Sequence, residues 1–139
     1  MTQFEGKFTN SKNENLEEFY SAIGVPWIPR KLTMLIDSSS PTMEITNSEG
    51  TWTITTTTMI HTSTASFKMG EEFYETMHRR GRQCKRITKI EGNKMITDSE
   101  EERGTSKRVM EFNKEGFVMT LNHDKTDLVA KRTFTRVVE

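Results

Sequence analysis

Alternation of apolar and polar residues runs through most of the chain and predicts a series of short β-strands. The segments rich in Val, Ile, Thr and Phe place successive side chains on opposite faces, and clusters of Gly, Asn, Asp and Ser separate them. The predicted strands cover residues 4–9, 42–46, 51–57, 62–68, 72–77, 83–90, 95–98, 105–112, 117–121 and 128–137. The polar run 10–13 is expected to close the first of them.

A different spacing interrupts this pattern once, after the first strand. The apolar residues that recur at helical spacing are Leu16, Phe19, Tyr20 and Ile23. Asn13 or Asn15 suits the N-cap, and Gly24 suits the end of the helix. Pro26 suits the first turn of a second helix that continues over 30–36. The pattern therefore predicts a helix–turn–helix between the first two strands.

About ten strands joined by short turns predict an all-β fold. Such a meander closes more readily than it stays flat, since closure removes the exposed sheet edges. Only 32% of the residues are hydrophobic, which is little for a solid core. We therefore expect residues 1–139 to form a single domain, a ten-stranded antiparallel up-and-down β-barrel. Its interior is hollow and partly wet, and the helix pair acts as a lid at one mouth.

Charge and cysteine content narrow the function classes. Lys and Arg number 20, as do Asp and Glu, so the global charge does not favour nucleic acid or anionic membranes as partners. Cys84 is alone, which favours a reducing compartment. The N-terminus lacks the apolar stretch of a signal peptide, and no run is long enough to cross a membrane. We expect a monomer in the cytoplasm.

Catalytic and metal-binding patterns are missing from the sequence. His61, His78 and His123 are scattered and lack metal-ligand spacing. No Ser/His/Asp arrangement, phosphate-binding loop or carboxylate pair stands out. We expect neither an enzyme nor a bound cofactor or metal.

The last predicted strand carries an unusual charge. One of its faces presents Leu128, Ala130, Arg132 and Phe134. A buried guanidinium needs an anionic or hydrogen-bonding partner, so an inward Arg132 would be a receptor for a carboxylate. Alternatively, the strand lies at a sheet edge and Arg132 meets water.

Several segments agree with the element order and point to a known family. They are FEGKF at 4–8, ENLEEF at 14–19, SFKMGEEF at 66–73 and RTF at 132–134. The chain resembles, from end to end, the intracellular fatty-acid-binding protein family, which includes the cellular retinoid-binding proteins. This resemblance implies a ten-stranded, clam-shaped barrel that holds one lipid in a water-containing interior. It also implies that ligand enters near the helical lid.

In many members of that family, two arginines and a tyrosine hold the lipid carboxylate. Arg132 matches the arginine of the last strand, whereas Phe134 stands in place of the tyrosine. Met110 stands in place of the other arginine. Arg108 lies two residues earlier on the same face, where it either supplies a displaced second charge or faces water near the barrel end.

Alternation and the resemblance together select the residues expected to touch the ligand. Met110, Phe117, Met119 and Leu121 are expected to line the cavity, because their strands flank that of Arg132 and they share one face. The complete predicted ligand-binding set is Arg132, Phe134, Met110, Arg108, Met119, Leu121, Phe117, Tyr20 and Leu16.

A basic cluster at residues 78–86 is the densest charge feature of the chain. By the family's layout, its turn lies beside the lid. The predicted portal residues are Trp27, Arg30, Lys31, Ile60, Arg79, Arg80 and Arg82. A positive portal rim would steer anionic lipids inward or dock the barrel on an anionic membrane. The alternative is a solvated turn without a task. Cys84, in the same cluster, fits a structural cysteine better than a reactive thiolate.

The favoured function is therefore an intracellular, non-catalytic carrier of one long-chain hydrophobic ligand, with a fatty acid preferred. A retinoid or another amphipathic ligand is the alternative within this class. An interaction module that uses the basic patch 78–86 is the alternative from another class. Nucleic acid is not expected, because no aromatic residues are interleaved with the arginines.

Overall fold

Ten β-strands and one helix make up the part of the chain that the structure describes. The computed structural model describes residues 3–24, 40–58, 62–77, 82–101 and 104–137. The strands are β1 (Gly6–Glu14), β2 (Thr42–Ser48), β3 (Thr51–Thr57), β4 (Thr62–Lys68), β5 (Phe73–Met77), β6 (Arg82–Glu91), β7 (Lys94–Glu101), β8 (Gly104–Asn113), β9 (Gly116–His123) and β10 (Thr126–Arg136). The helix α1 (Leu16–Ala22) lies between β1 and β2 in chain order.

All ten strands belong to one antiparallel sheet that curls into a nearly closed barrel. Strands pair with their neighbours in chain order from β2 to β4 and from β5 to β10, and β1 pairs with both β2 and β10. The two edge strands are β4 and β5, and the rings of Phe67 and Phe73 stack between them with centroids 4.7 Å apart. This topology confirms the predicted all-β, ten-stranded barrel with a helical insertion after the first strand.

The helix α1 forms where the apolar spacing predicts it. Asn15 stands at its N-cap with a φ of 58°, and its side-chain amide donates to the Val129 carbonyl at 3.3 Å instead of capping the helix. Gly24 follows the helix with a φ of 91°, which glycine adopts without a Cβ penalty. The second helix predicted over 26–36 lies outside the described residues. Within the described ranges, no helix has the length and apolar character that a membrane span requires.

The first strand is longer than predicted, because the polar run 10–13 continues it instead of closing it. β1 extends to Glu14 and pairs with β10, with a bulge between Asn10 and Lys12. Asn10 is buried, and its amide donates to the Thr133 carbonyl at 3.0 Å. The neighbouring strand thus satisfies a polar side chain that local patterning assigns to a turn.

Two other predictions about strands are also wrong. β7 continues past its predicted end at Asp98 to Glu101, because its last residues pair with β8. Leu128, predicted to face inward, is 42% exposed. The pairing of β9 with β10 shifts register between Thr126 and Ala130, so the simple alternation fails there.

Candidate functional site

Inward-facing side chains change from aromatic to polar along the barrel. Paired residues of neighbouring strands lie side by side on one face, so the inward residues of β6–β10 form layers. The first layer holds Phe112, Phe117 and Phe134; the second holds Ile90, Met95, Met110, Met119 and Arg132; the third holds Thr88, Thr97, Arg108, Leu121 and Ala130; the fourth holds Arg86, Ser99, Ser106 and His123. The arginines therefore occur in three successive layers, beginning above the aromatic one.

The first layer belongs to a cluster of rings, here called the aromatic end. It consists of Phe4, Phe8, Trp52, Phe112, Phe117 and Phe134. The rings of Phe117 and Phe134 stack with centroids 4.8 Å apart, and Phe8 meets Phe117 edge-on at 4.9 Å. Such pairs add to the stabilisation from apolar burial. Phe134, at the position where the resemblance implies a tyrosine, packs in this cluster.

Arg132 faces the interior from the second layer. β10 is paired on both sides, so the alternative of a solvated arginine on an edge strand is wrong. The Nε of Arg132 donates to the Oδ1 of Asn13 at 3.1 Å, and its guanidinium lies 5.3 Å from the ring centroid of Phe134. Asn10 donates to the same Asn13 oxygen at 3.1 Å. β1 therefore orients Arg132, through two asparagines that the sequence assigned to a turn.

Arg108 lies on the inward face of β8 in the third layer. Its side chain is partly solvent-accessible, whereas its Nε is buried, and its contact with ligand stays a prediction. Its Nη2 donates to the Thr97 hydroxyl at 3.5 Å, and its buried Nε has no hydrogen-bond partner among the described residues. Burial, reinforced by the nearby charge of Arg86, lowers the pKa of Arg108 to about 10. The group is still a cation at neutral pH.

Arg86 is the third inward arginine and lies one layer further from the aromatic end than Arg108. Its Nη1 donates to the Ser99 hydroxyl at 2.8 Å, and its Nε lies 3.3 Å from the Oε1 of Glu75 as an ion pair. Thr88 and Thr97 are fully buried, and their hydroxyls lie 2.8 Å apart. We call this group the polar cluster. It comprises Glu75, Arg86, Thr88, Thr97, Ser99 and Arg108.

The predicted basic patch 78–86 is therefore not a continuous outer surface. The side chain of Arg86 is 14% exposed and points inward, whereas Lys85 points outward and pairs with Glu100 at 3.1 Å. Sequence reasoning missed Arg86 as an interior residue. The available signal was its alternation with Cys84 and Thr88 on one strand face.

Cys84 lies next to Arg86 on the inward face of β6, with Glu101 and His123 close by. Its Sγ donates to the Oε2 of Glu101 at 3.9 Å, and the Nε2 of His123 lies 3.6 Å from the other Glu101 oxygen. Burial raises the pKa of the Cys84 thiol, and the charge of Arg86 only partly opposes this. A protonated thiol favours the structural interpretation of this cysteine. The described residues contain no group of three or more His, Cys, Asp or Glu placed to hold a metal.

The helix packs against the barrel at the level of the third layer. Leu16, Phe19 and Ile23 form a buried cluster with Ala130, and Tyr20 and Leu121 pack on it partly buried. Leu121 also packs on the larger core cluster that contains the aromatic end. Leu16 and Tyr20 therefore belong to the contact between α1 and β10. Whether they touch ligand stays a prediction, as it does for Met110, Phe117 and Met119.

Most of the predicted portal residues lie in parts of the chain that the structure does not describe. Trp27, Arg30, Lys31, Ile60, Arg79 and Arg80 lie outside the described residues. Arg82 begins β6. The portal rim therefore stays a prediction.

A groove of about 420 Å³ is bordered by outward-facing positions of β6–β9 and by the fourth-layer residues Arg86, Ser99, Ser106 and His123. Its charged side chains pair with one another: Lys85 contacts Glu100 at 3.1 Å, and Lys107 lies 3.8 Å from Asp98. Solvated pairs of this kind contribute little. The polar cluster inside the barrel, next to an apolar wall, is the stronger candidate for a lipid site.

Comparisons with known proteins cover the whole chain. A profile of the lipocalin / cytosolic fatty-acid binding protein family matches residues 5–138. Cellular retinoic acid-binding protein 2 of Mus musculus is 33% identical over 98% of this chain and 99% of its own length. The muscle fatty acid-binding protein of Schistocerca gregaria is 35% identical over 95% of this chain and 96% of its own. The Schistosoma mansoni fatty acid binding protein in complex with arachidonic acid superposes with a TM-score of 0.87 at 25% identity, covering 99% of this chain and 98% of that one.

Proposed function

This chain belongs to the lipocalin / cytosolic fatty-acid binding protein family, and from that premise we propose that it carries one fatty acid inside its barrel. The carrier performs no chemistry on the ligand. The observation that supports this most is the layered interior, in which an aromatic and methionine-rich wall meets inward-facing, partly buried arginines. A long-chain carboxylate has the same division into an apolar chain and an anionic head.

The apolar layers suit a flexible chain. Met95, Met110 and Met119 line one layer, and unbranched thioethers adapt to ligands of different shape. A retinoid with a carboxylate group is the second candidate ligand, and the likeness to cellular retinoic acid-binding protein 2 favours it. The interaction module that would use the patch 78–86 is less well supported, because Arg86 points inward and Lys85 is paired with acidic side chains.

We also propose that the protein acts as a monomer in the cytosol and that its portal rim contacts anionic membranes. The family's cytosolic branch supports the location, and the basic residues around 79–82 support the membrane contact. Reversing Arg79, Arg80 and Arg82 to Glu is expected to slow ligand transfer from anionic vesicles at low salt. Unchanged transfer would contradict the rim.

Displacement of a fluorescent fatty-acid probe tests the main proposal. Delipidated protein is expected to bind the probe at about one per chain, and both oleate and retinoic acid are tested as competitors. Mass spectrometry of lipid extracted from the native protein identifies the ligand class. If the protein binds neither probe nor extracted lipid under any condition, it is not a lipid carrier.

A further inference from the structure

We propose that the anionic head group of the ligand binds at Arg108 and Thr97, with Arg86 as the second cation, rather than around Arg132. This inference rests on the proposed carrier function. It places the carboxylate in the third layer, at the level where α1 packs, and the hydrocarbon chain against the methionines of the second layer. The departure at Met110 is then a displacement of the head-group site by one layer.

The first support is the charge balance around Arg108. Within the part of the chain that the structure describes, the carboxylate whose charge reaches Arg108 is that of Glu75. Glu75 is already 3.3 Å from Arg86. Two cations therefore share one partly exposed carboxylate. A buried cation without a counter-ion is costly, so an arriving anion is stabilised at this position.

The second support is hydrogen-bonding capacity. A guanidinium binds a carboxylate through two neighbouring N–H groups, and the Nε of Arg108 is buried with no partner in the described ranges. Its one hydrogen bond to the described residues, to the Thr97 hydroxyl, is long at 3.5 Å. Thr97 also shares a hydrogen bond with Thr88, and this bond holds the Thr97 hydroxyl in place beside Arg108.

Arg132 differs from Arg108 in how its Nε is bonded, although its Nη2, like the Nε of Arg108, is buried and makes no hydrogen bond with the described residues. Its Nε is bonded to Asn13 at 3.1 Å, and its guanidinium lies over the ring of Phe134. These contacts give Arg132 a position within the protein's own packing. The hydrogen bond of Arg108 is longer, at 3.5 Å, and its buried Nε makes none with the described residues, so Arg108 gains more from an anionic ligand.

The test compares Arg108→Gln with the matched control Lys107→Gln. Lys107 directly precedes Arg108 on β8, and its side chain faces outward. Its replacement by Gln removes the same charge. Dissociation constants for oleate and oleyl alcohol are measured by competition, with the probe affinity determined for each variant. Arg108→Gln is expected to weaken oleate about tenfold or more and to leave oleyl alcohol within about twofold. Lys107→Gln is expected to change neither.

Thermal melting of the ligand-free protein separates a binding role from a structural one. Arg108→Gln is expected to melt at the same temperature as the unmodified protein or above it, because an uncompensated buried charge is removed. A lower melting temperature for both Arg108→Gln and Arg108→Met would overturn the inference, since Arg108 would then support the fold.

The remaining outcomes distinguish this inference from the carrier function. An unchanged preference of Arg108→Gln for oleate over oleyl alcohol overturns the inference and leaves the carrier intact. A larger loss of oleate binding in Arg132→Gln than in Arg108→Gln overturns it as well. Absence of binding by the unmodified protein removes the carrier function itself.

Discussion

The aromatic end and the polar cluster lie in the same barrel, but they differ in how completely their side chains are satisfied by one another. At the aromatic end, rings of Phe8, Phe117 and Phe134 meet at 4.8–4.9 Å and are almost fully buried. In the polar cluster, Glu75 pairs with Arg86 at 3.3 Å, and the same carboxylate raises the pKa of Arg108 only in part against burial. The first region is complete as it stands, whereas the second gains from a ligand that supplies an anion.

This difference indicates a division between stability and binding. Apolar burial at the aromatic end stabilises the fold without regard to ligand. Incompletely satisfied polar groups in a low-dielectric interior lower stability and raise affinity for a complementary group. Substitutions at the two ends should therefore affect different measurements.

The largest effect on stability is expected from Phe117→Ala. Removing a ring that contacts three others leaves a cavity, and the loss of unfolding free energy should be about 3–5 kcal/mol. Urea denaturation measures it. Val118→Ala, on the outward face of the same strand, is the control and should cost about 1 kcal/mol or less. Equal losses in the two variants would contradict a stabilising aromatic end.

The next effect concerns the hydroxyl pair of the polar cluster. Thr88→Val leaves Thr97 with a weaker set of partners in a buried site and should cost about 1–2 kcal/mol. Thr55→Val is the matched control, because Thr55 and Thr64 form a similar pair at 3.3 Å on the exposed face. Water replaces the lost bond there, so denaturation should show little change. A cost at Thr55 as large as at Thr88 would show that burial is irrelevant.

A smaller effect is expected from the thiol of Cys84 at alkaline pH. Because burial raises its pKa above the ordinary value of 9.0, its contribution to stability is complete below that value. The contribution is lost as pH rises through the folded pKa. The unfolding free energy of the unmodified protein should therefore fall relative to Cys84→Ala above pH 9.0. A constant difference across this range would refute the shift.

The smallest effect on stability is expected at Asp124, on the outer surface of the barrel. The backbone N–H of Thr105 donates to Asp124 at 3.2 Å and lowers the pKa of that carboxyl. The contribution is present above the ordinary value of 3.8 and is lost as pH falls through the folded pKa. Melting temperatures of the unmodified protein and Asp124→Asn should differ slightly at pH 7 and converge in acid. A gap that widens in acid would contradict this sign.

Much of the fold follows from the sequence pattern, but the interior of the site does so only in part. Alternation correctly places Phe117, Met119 and Phe134 on an inward face, because burial of a strand face is a local property. The same alternation on β6 makes Arg86 an inward residue. Adjacent charges in the sequence instead suggest one basic surface, and this suggestion is wrong for Arg86.

By itself, the sequence determined the number and order of the strands, the position of α1 and the family of the barrel. These depend on local periodicity and on short motifs such as SFKMGEEF at 66–73. Only the tertiary structure decided that the Nε of Arg108 is buried, that Asn13 holds Arg132, and that Glu75 pairs with Arg86. The physical reason is that the burial and the charge balance of each arginine depend on side chains from other strands, which are distant in the sequence. The register between the strands decides which of these side chains meet.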